Sequence, residues 1–360
     1  MGNRKKYHWV LFLIILILLM PQTGQGAVMK HAYEVKEHKD GYKQVIIRDL
    51  NRELLLKPGN TIFYANGEEY YTEEPFVMKE GVLDITEAQQ RFIEENIANK
   101  KILKVHKGVA IDRVKYHKNV PVFTDLSMKK IIEQIPVNQE VRVLETVLDG
   151  YFKVMTPAFK IGYMDARFVK LQGDTLPAIH NNLDKVNKDK VFIVSQKEQK
   201  LFVYAKREDD EYDLEKEIIV STGLPAEHTP NGYFLIKERR GKWFYNPKYQ
   251  AGGHNYVEFK GSYLLHSVAT DKNGKPKPDR VEKLGQQASM GCIGMSIPDS
   301  KYIYDHAKAN MLLVIDHETK KIEDIFSHLK KSADDPSILV EVMPTIEETA
   351  EIEANDAIDL

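Results

Sequence analysis

The chain has 360 residues, of which 42% are hydrophobic and 29% charged, with a formal net charge of −2. That composition is globular and excludes wholesale disorder, a fibrous repeat and a polytopic membrane protein. The near-neutral charge argues against nucleic acid as the main partner, and a single cysteine excludes an internal disulfide and a multi-thiolate metal site.

Arg4, Lys5 and Lys6 precede an apolar run from Val10 to Met20, which Pro21 ends and Gly24, Gly26 and Ala27 follow. A basic stretch, a short apolar stretch and a small-residue exit predict a secretory signal peptide over residues 1–26. Eleven residues rise about 16 Å as a helix, roughly half the hydrocarbon core of a bilayer. An uncleaved N-terminal membrane anchor is the alternative. No cysteine follows the run, which excludes a lipid-anchored lipoprotein. An exported protein whose one thiol lies deep in the chain directs attention to that thiol.

Residues 27–100 carry turn signals at Gly41, at Lys57-Pro58-Gly59-Asn60 and at Asn66-Gly67, between short apolar stretches. They predict hairpins. Thr86 with Gln89 is a capping box, and Phe92, Ile93 and Ile97 continue a helical stripe to about Asn99. This region shows no chemistry, and its role is open. Residues 101–173 alternate in short strands around Val109, Val141–Leu144, Tyr151–Val154 and Ile161–Met164. The run Gly150-Tyr151-Phe152-Lys153-Val154, then Ile161-Gly162-Tyr163-Met164, then Phe168-Val169, resembles the last strands of bacterial SH3-like domains. The resemblance implies a small barrel, either a spacer or a binder of cell-wall polymer. Residues 333–360 hold nine acidic residues and no basic one, which predicts a solvated, disordered tail.

Residues 187–318 carry the chemistry. Val191–Val194 and Lys200–Tyr204 read as a strand pair, Glu217–Val220 as a third strand, and Thr229–Phe234 as a turn into a fourth. Tyr263–Ser267 ends a strand at His266, Asp299 to Ala309 reads as a short helix, and Met311–Ile315 as a closing strand. Many short strands and few helices predict a mainly β, antiparallel-rich, sandwich-like architecture rather than βαβ units.

The ordered series Ser221-Thr222-Gly223, Thr229-Pro230-x-Gly232-x-Phe234, Trp243-Phe244, Leu265-His266-Ser267 and Ser289-x-Gly291-Cys292-Ile293 resembles the catalytic domain of L,D-transpeptidases, the YkuD family. The resemblance covers a little over a third of the chain. It implies a β-sandwich-like catalytic domain with a cysteine nucleophile. The family cuts the peptidoglycan stem tetrapeptide before its terminal D-alanine and passes the acyl group to the side-chain amine of another stem, a 3→3 crosslink.

The residue types fit that chemistry. A free thiol has a pKa near 8.5 and needs a partner to react at neutral pH. A histidine is the usual partner, and in the family the histidine of the His-Ser piece is the base, which is His266 here. Ser267 occupies the neighbouring position, where its hydroxyl or its carbonyl orients the imidazole. Amides at Gly291 and Cys292 are candidate oxyanion donors. Cys292, His266, Gly291 and Ser267 are therefore the expected catalytic set, and Ser289, Met290, Gly294, Tyr256 and Trp243 the expected substrate contacts. Met290 stands where the family usually has a histidine, and Gly294 where an arginine or asparagine is common. Residues 271–285 form an inserted loop expected over the cleft. His254 and His306 are expected at the surface, and the 209–211 acidic run at a hairpin tip. No cofactor and no metal are implied. The expected partner is the peptidoglycan stem peptide, and the expected place is outside the cell or at the wall. Two alternatives stay open: an L,D-carboxypeptidase using the same thiol, and a wall-binding protein with a silent site.

Overall fold

The computed structural model describes residues 15–18, 29–37, 43–47, 52–57, 60–65, 68–72, 103–111, 118–173, 175–177, 179 and 186–330. The chain divides into two units at Val105 and His106. The signal peptide (save 15–18), the helix expected over 86–99 and the acidic tail lie outside the described residues. No helix among the described residues is long and apolar enough to cross a membrane.

The first unit is a seven-stranded meander in sequence order: β1 (Ile15–Leu18), β2 (Met29–Glu37), β3 (Lys43–Ile47), β4 (Arg52–Lys57), β5 (Asn60–Ala65), β6 (Glu68–Thr72) and β7 (Leu103–Lys104). Every neighbour pairs antiparallel. β4–β5 and β5–β6 follow the turn signals at 57–60 and 66–67, because short polar turns leave consecutive strands no other partner than each other. Ile15–Leu18, inside the apolar run of the expected signal peptide, is an edge strand of this sheet.

The second unit holds two sheets. One contains β8 (His106–Ala110), β9 (Asn119–Phe123), β10 (Ile131–Pro136), β11 (Glu140–Val147), β12 (Tyr151–Met155), β13 (Ile161–Asp165) and β14 (Val169–Gln172), in the order β10-β9-β13-β12-β11-β8-β14 and antiparallel throughout. Alternation along these strands sends Val120, Val122, Val141, Val143, Phe152, Val154 and Met164 inward, all buried.

The other sheet contains β15 (Asn187–Ser195), β16 (Lys200–Lys206), β17 (Tyr212–Ser221), β18 (Gly232–Leu235), β19 (Arg240–Asn246), β20 (Ala251–Lys260), β21 (Tyr263–Ser267), β22 (Ile293–Met295) and β23 (Met311–Asp316). Their order is β18-β23-β15-β16-β17-β22-β21-β20-β19. β15 and β23 pair in parallel and are buried on both faces, which is why Val191–Val194 and Met311–Ile315 are unbroken apolar runs. Val191, Ile193, Leu312 and Val314 join the core of the β8–β14 sheet. Phe192, Val194, Leu313 and Ile315 face a second core with Val257, Leu265, Ile293 and Met295. One apolar core therefore joins the two sheets of this unit.

A helix at Ile297–His306 packs on β20 and β21. It starts two residues before the sequence expectation because Ser296 caps it, its hydroxyl accepting from the Asp299 amide at 3.1 Å. It ends three residues before that expectation, at His306. Several elements escaped the sequence, among them β9 and β10, the long β19–β20 hairpin, the short strand β22 and a helix at Ile322–Lys330.

Candidate active site

β22 lies between β17 and β21. It pairs in parallel with β21, Leu265 opposite Ile293, His266 opposite Gly294 and Ser267 opposite Met295. It pairs antiparallel with β17, Val220 opposite Met295 and Ser221 opposite Gly294. Cys292 lies in the bend immediately before β22, two residues before Gly294, the partner of His266. The parallel pairing therefore brings the segment that carries Cys292 alongside the strand that carries His266. The thiol is partly exposed, and its Sγ lies 3.8 Å from the Ser262 carbonyl oxygen at the start of β21.

His266 is buried. Its Nδ1 is 2.5 Å from the carbonyl oxygen of Ser267. A carbonyl only accepts, so Nδ1 carries the proton and Nε2 presents a lone pair. Burial pushes the imidazole pKa down to about 4, against a smaller upward pull from the Ser267 carbonyl. The ring is neutral at pH 7. Phe244 meets it edge-on, with centroids 5.3 Å apart and planes at 90°. Gly253 backs it so closely that a Cβ there would stand 2.5 Å from Nδ1. The Ser267 hydroxyl accepts from the His254 amide at 2.8 Å and donates to the Val268 carbonyl at 2.9 Å. The carbonyl, not the hydroxyl, holds the imidazole.

The turn before Cys292 is tied on every side. Gly291 has φ 110°, a conformation that L side chains rarely adopt. The Ser289 hydroxyl accepts from the Gly291 amide at 3.0 Å and donates to the Cys292 carbonyl at 2.5 Å. The Gly291 amide, an expected oxyanion donor, thus points at Ser289. The Gly291 carbonyl accepts from the Thr229 hydroxyl at 3.0 Å, and that hydroxyl accepts from the Gly223 amide at 2.8 Å. The Thr222 carbonyl takes the amides of Ala288 and Ser289 at 2.9 and 3.0 Å. A Cβ on Gly223 would meet the Glu227 carbonyl oxygen at 2.1 Å, so only glycine fits. Met290 is 48% exposed beside the nucleophile. Gly294 is buried between β17 and β21 and offers backbone alone.

The β19–β20 hairpin contributes one wall. Asn255, with φ 53°, breaks the alternation of β20. Gly253 and Tyr256, three residues apart, therefore both meet Phe244; the Tyr256 ring lies edge-on to it at 5.4 Å. Trp243 is 42% exposed and stacks on Tyr245 at 6.3 Å. His254 is not a free surface histidine: its Nε2 is 2.7 Å from the Gly274 carbonyl and ties the inserted loop to the hairpin. The loop's turn is closed by Asp271, whose carboxylate accepts from the amides of Asn273 and Lys275. His306 sits outside, its Nδ1 on the Tyr302 carbonyl. The structure ties Ser289, Gly291 and Cys292 into one turn that also holds Met290, and sets His266 and Ser267 in the strand next to β22; Tyr256 packs on Phe244, which packs on His266. Gly253 and His254 were not legible as parts of the site, and Thr229 stood out only within the ordered series without its bridging role, because each acts on a partner distant in sequence. Among the described residues no cluster of His, Cys, Asp and Glu is arranged to hold a metal.

Over 103 residues the chain is 38% identical to YciB of Bacillus subtilis (strain 168), which bears a provisional L,D-transpeptidase name. That match covers 27% of this chain and 53% of YciB, so the chain spans about half of that relative's length. An L,D-transpeptidase structure from Stackebrandtia nassauensis overlaps at 21% identity, 37% of this chain, 57% of that chain and a TM-score of 0.28. One from Mycobacterium smegmatis overlaps at 13% identity, 69% of this chain, 90% of that chain and a TM-score of 0.29. Residues 189–315, the segment that carries both Cys292 and His266, match the model of the YkuD family, the L,D-transpeptidase catalytic domain.

Proposed function

We propose that this protein is a cysteine L,D-transpeptidase that remodels peptidoglycan by making 3→3 crosslinks. The observation that supports the reading is the parallel β21–β22 pairing, with His266 in β21 and Cys292 immediately before β22, inside the segment that matches the catalytic-domain model. Cys292 attacks the carbonyl of the third stem residue, and His266 Nε2 takes the thiol proton. The C–N bond to the terminal D-alanine breaks, the imidazolium gives its proton to the leaving amine, and a thioester remains. The side-chain amine of a second stem attacks the thioester and loses a proton to Nε2. The new amide forms, and the thiol is restored.

The proposed place of action is outside the cytoplasm, supported by Arg4, Lys5, Lys6 and the apolar run that follows. The strand pattern of residues 101–173 supports an SH3-like module that binds wall polymer. The test is intact-protein mass of the exported form with disaccharide-tetrapeptide, beside Cys292→Ala. A thiol-dependent acyl adduct with loss of D-alanine, and dimers when an acceptor stem is added, supports the reading. Trimmed tripeptide stems without dimers make the protein a carboxypeptidase. Neither adduct nor product from folded protein removes the catalytic reading.

A further inference from the structure

Gln199 closes the β15–β16 hairpin in a conformation that glycine or asparagine usually fills. Its φ is 52°, and it is buried. A long side chain kept at such a position points to a role for the side chain. All of its amide is used. Oε1 accepts from the Thr222 amide at 2.8 Å, and Nε2 donates to the Thr222 hydroxyl at 2.7 Å and to the Gln196 carbonyl at 2.5 Å. Thr222, gripped at both its amide and its hydroxyl, uses its carbonyl to hold Ala288 and Ser289, and Ser289 holds Gly291 and Cys292. The same hairpin loop reaches the turn's other support. Gln196 Nε2 donates to the Thr229 carbonyl at 3.1 Å, and the Thr229 hydroxyl donates to the Gly291 carbonyl.

We propose that Gln199 is a positioning residue for the Cys292 nucleophile, acting through Thr222 on the 288–291 turn. The turn has no regular secondary structure of its own. Its placement comes from hydrogen bonds to neighbouring segments, and Gln199 fixes the segment that holds two of its amides. The acylation arm of the test rests on the proposed function; the alkylation arm does not.

The test compares wild type with Gln199→Gly, Thr222→Val and Thr222→Ser. The first reading is the pH profile of Cys292 alkylation by iodoacetamide, and the second is acylation by disaccharide-tetrapeptide. Gln199→Gly removes the amide while relieving the backbone, so a role confined to the turn leaves both readings unchanged. Positioning shifts the alkylation midpoint away from that of wild type by on the order of one pH unit, a tenfold change in thiolate at fixed pH. It also slows acylation roughly tenfold to a hundredfold. Thr222→Val does the same, and Thr222→Ser, which keeps the hydroxyl, restores wild-type values. A midpoint equal to wild type in folded Gln199→Gly overturns the proposal. If that variant does not fold, the same result in Thr222→Val overturns it. Wild type that is alkylated normally but never acylated strikes the proposed function alone, and the alkylation profiles still decide for or against Gln199.

Discussion

Nδ1 of His266 lies 2.5 Å from the carbonyl oxygen of Ser267, the next residue in β21. The bond fixes the tautomer, and burial holds the imidazole pKa near 4, against an ordinary 6.5. The unfolded chain therefore binds a proton between pH 6.5 and 4 that the folded chain refuses. Stability falls as pH drops through that window, by about 3 kcal/mol in all. In His266→Gln, which cannot titrate, that part of the acid loss disappears. Denaturant unfolding of the two proteins at pH 7, 5 and 4 reads the difference. The acid limb of Cys292 acylation is likewise expected well below pH 6.5; a limb at 6.5 would show the imidazole open to water.

Two glycines beside the site make opposite expectations. A Cβ at Gly253 would stand 2.5 Å from His266 Nδ1 and 3.0 Å from Phe244 Cε1. Gly253→Ala must therefore push the imidazole off the Ser267 carbonyl, at a stability cost of about 1–3 kcal/mol and a rate loss on the order of a hundredfold. A Cβ at Gly294 meets nothing nearer than the Ser221 carbonyl oxygen at 3.9 Å. Gly294→Ala is expected to melt with wild type and to keep its rate. Thermal melts and acylation kinetics of both variants check the contrast, and equal behaviour of the two contradicts it.

Thr229 joins two segments through one hydroxyl, which accepts from Gly223 and donates to Gly291. Thr229→Val preserves shape and leaves a buried amide and a buried carbonyl without that partner. The expected cost is about 1–3 kcal/mol, together with slower acylation as the nucleophile turn loosens. Thr229→Ser keeps the hydroxyl and is expected to recover most of both. A valine variant that melts like wild type would show the bridge to be dispensable.

The sequence was legible where burial writes a pattern. β15 and β23 are covered on both faces, so their apolar runs stand out. Cys292 and His266 stood out because their flanking residues form an ordered series. The β19–β20 hairpin did not. Gly252 and Gly253 weaken any strand reading of β20, and their reason lies across the sheet, at Thr270 and the Phe244 carbonyl for one and at His266 for the other. The choice between the Ser267 hydroxyl and carbonyl was equally closed to sequence. Only the hydroxyl's engagement by His254 and Val268 settles it. Thr229 and Gln199 act on residues whose nearness exists only after folding.

Lys260 is the ammonium buried where β20 meets the β8–β14 sheet. Its Nζ donates to the Asp149 carbonyl at 2.6 Å, lies 3.7 Å from the Asp165 carboxylate and sits 3.4 Å from the centre of the Tyr151 ring. Burial lowers its pKa to about 8, and the Asp165 and Asp149 carboxylates only partly oppose this. The ordinary value is 10.5. Between pH 8 and 10.5 the unfolded chain binds the proton and the folded chain does not. Stability contributed by this group therefore rises through that window, by on the order of 3 kcal/mol. Lys260→Met keeps the apolar stem and removes the charge, and Asp165 retains Arg167, whose Nε and Nη2 donate to it at 2.9 and 2.8 Å. In the variant the rise is expected to vanish. The difference between the two proteins' unfolding free energies at pH 7.5 and 10 measures it directly, which cancels the titration of nearby tyrosines. An equal rise in both would mean that the ammonium stays hydrated at this junction.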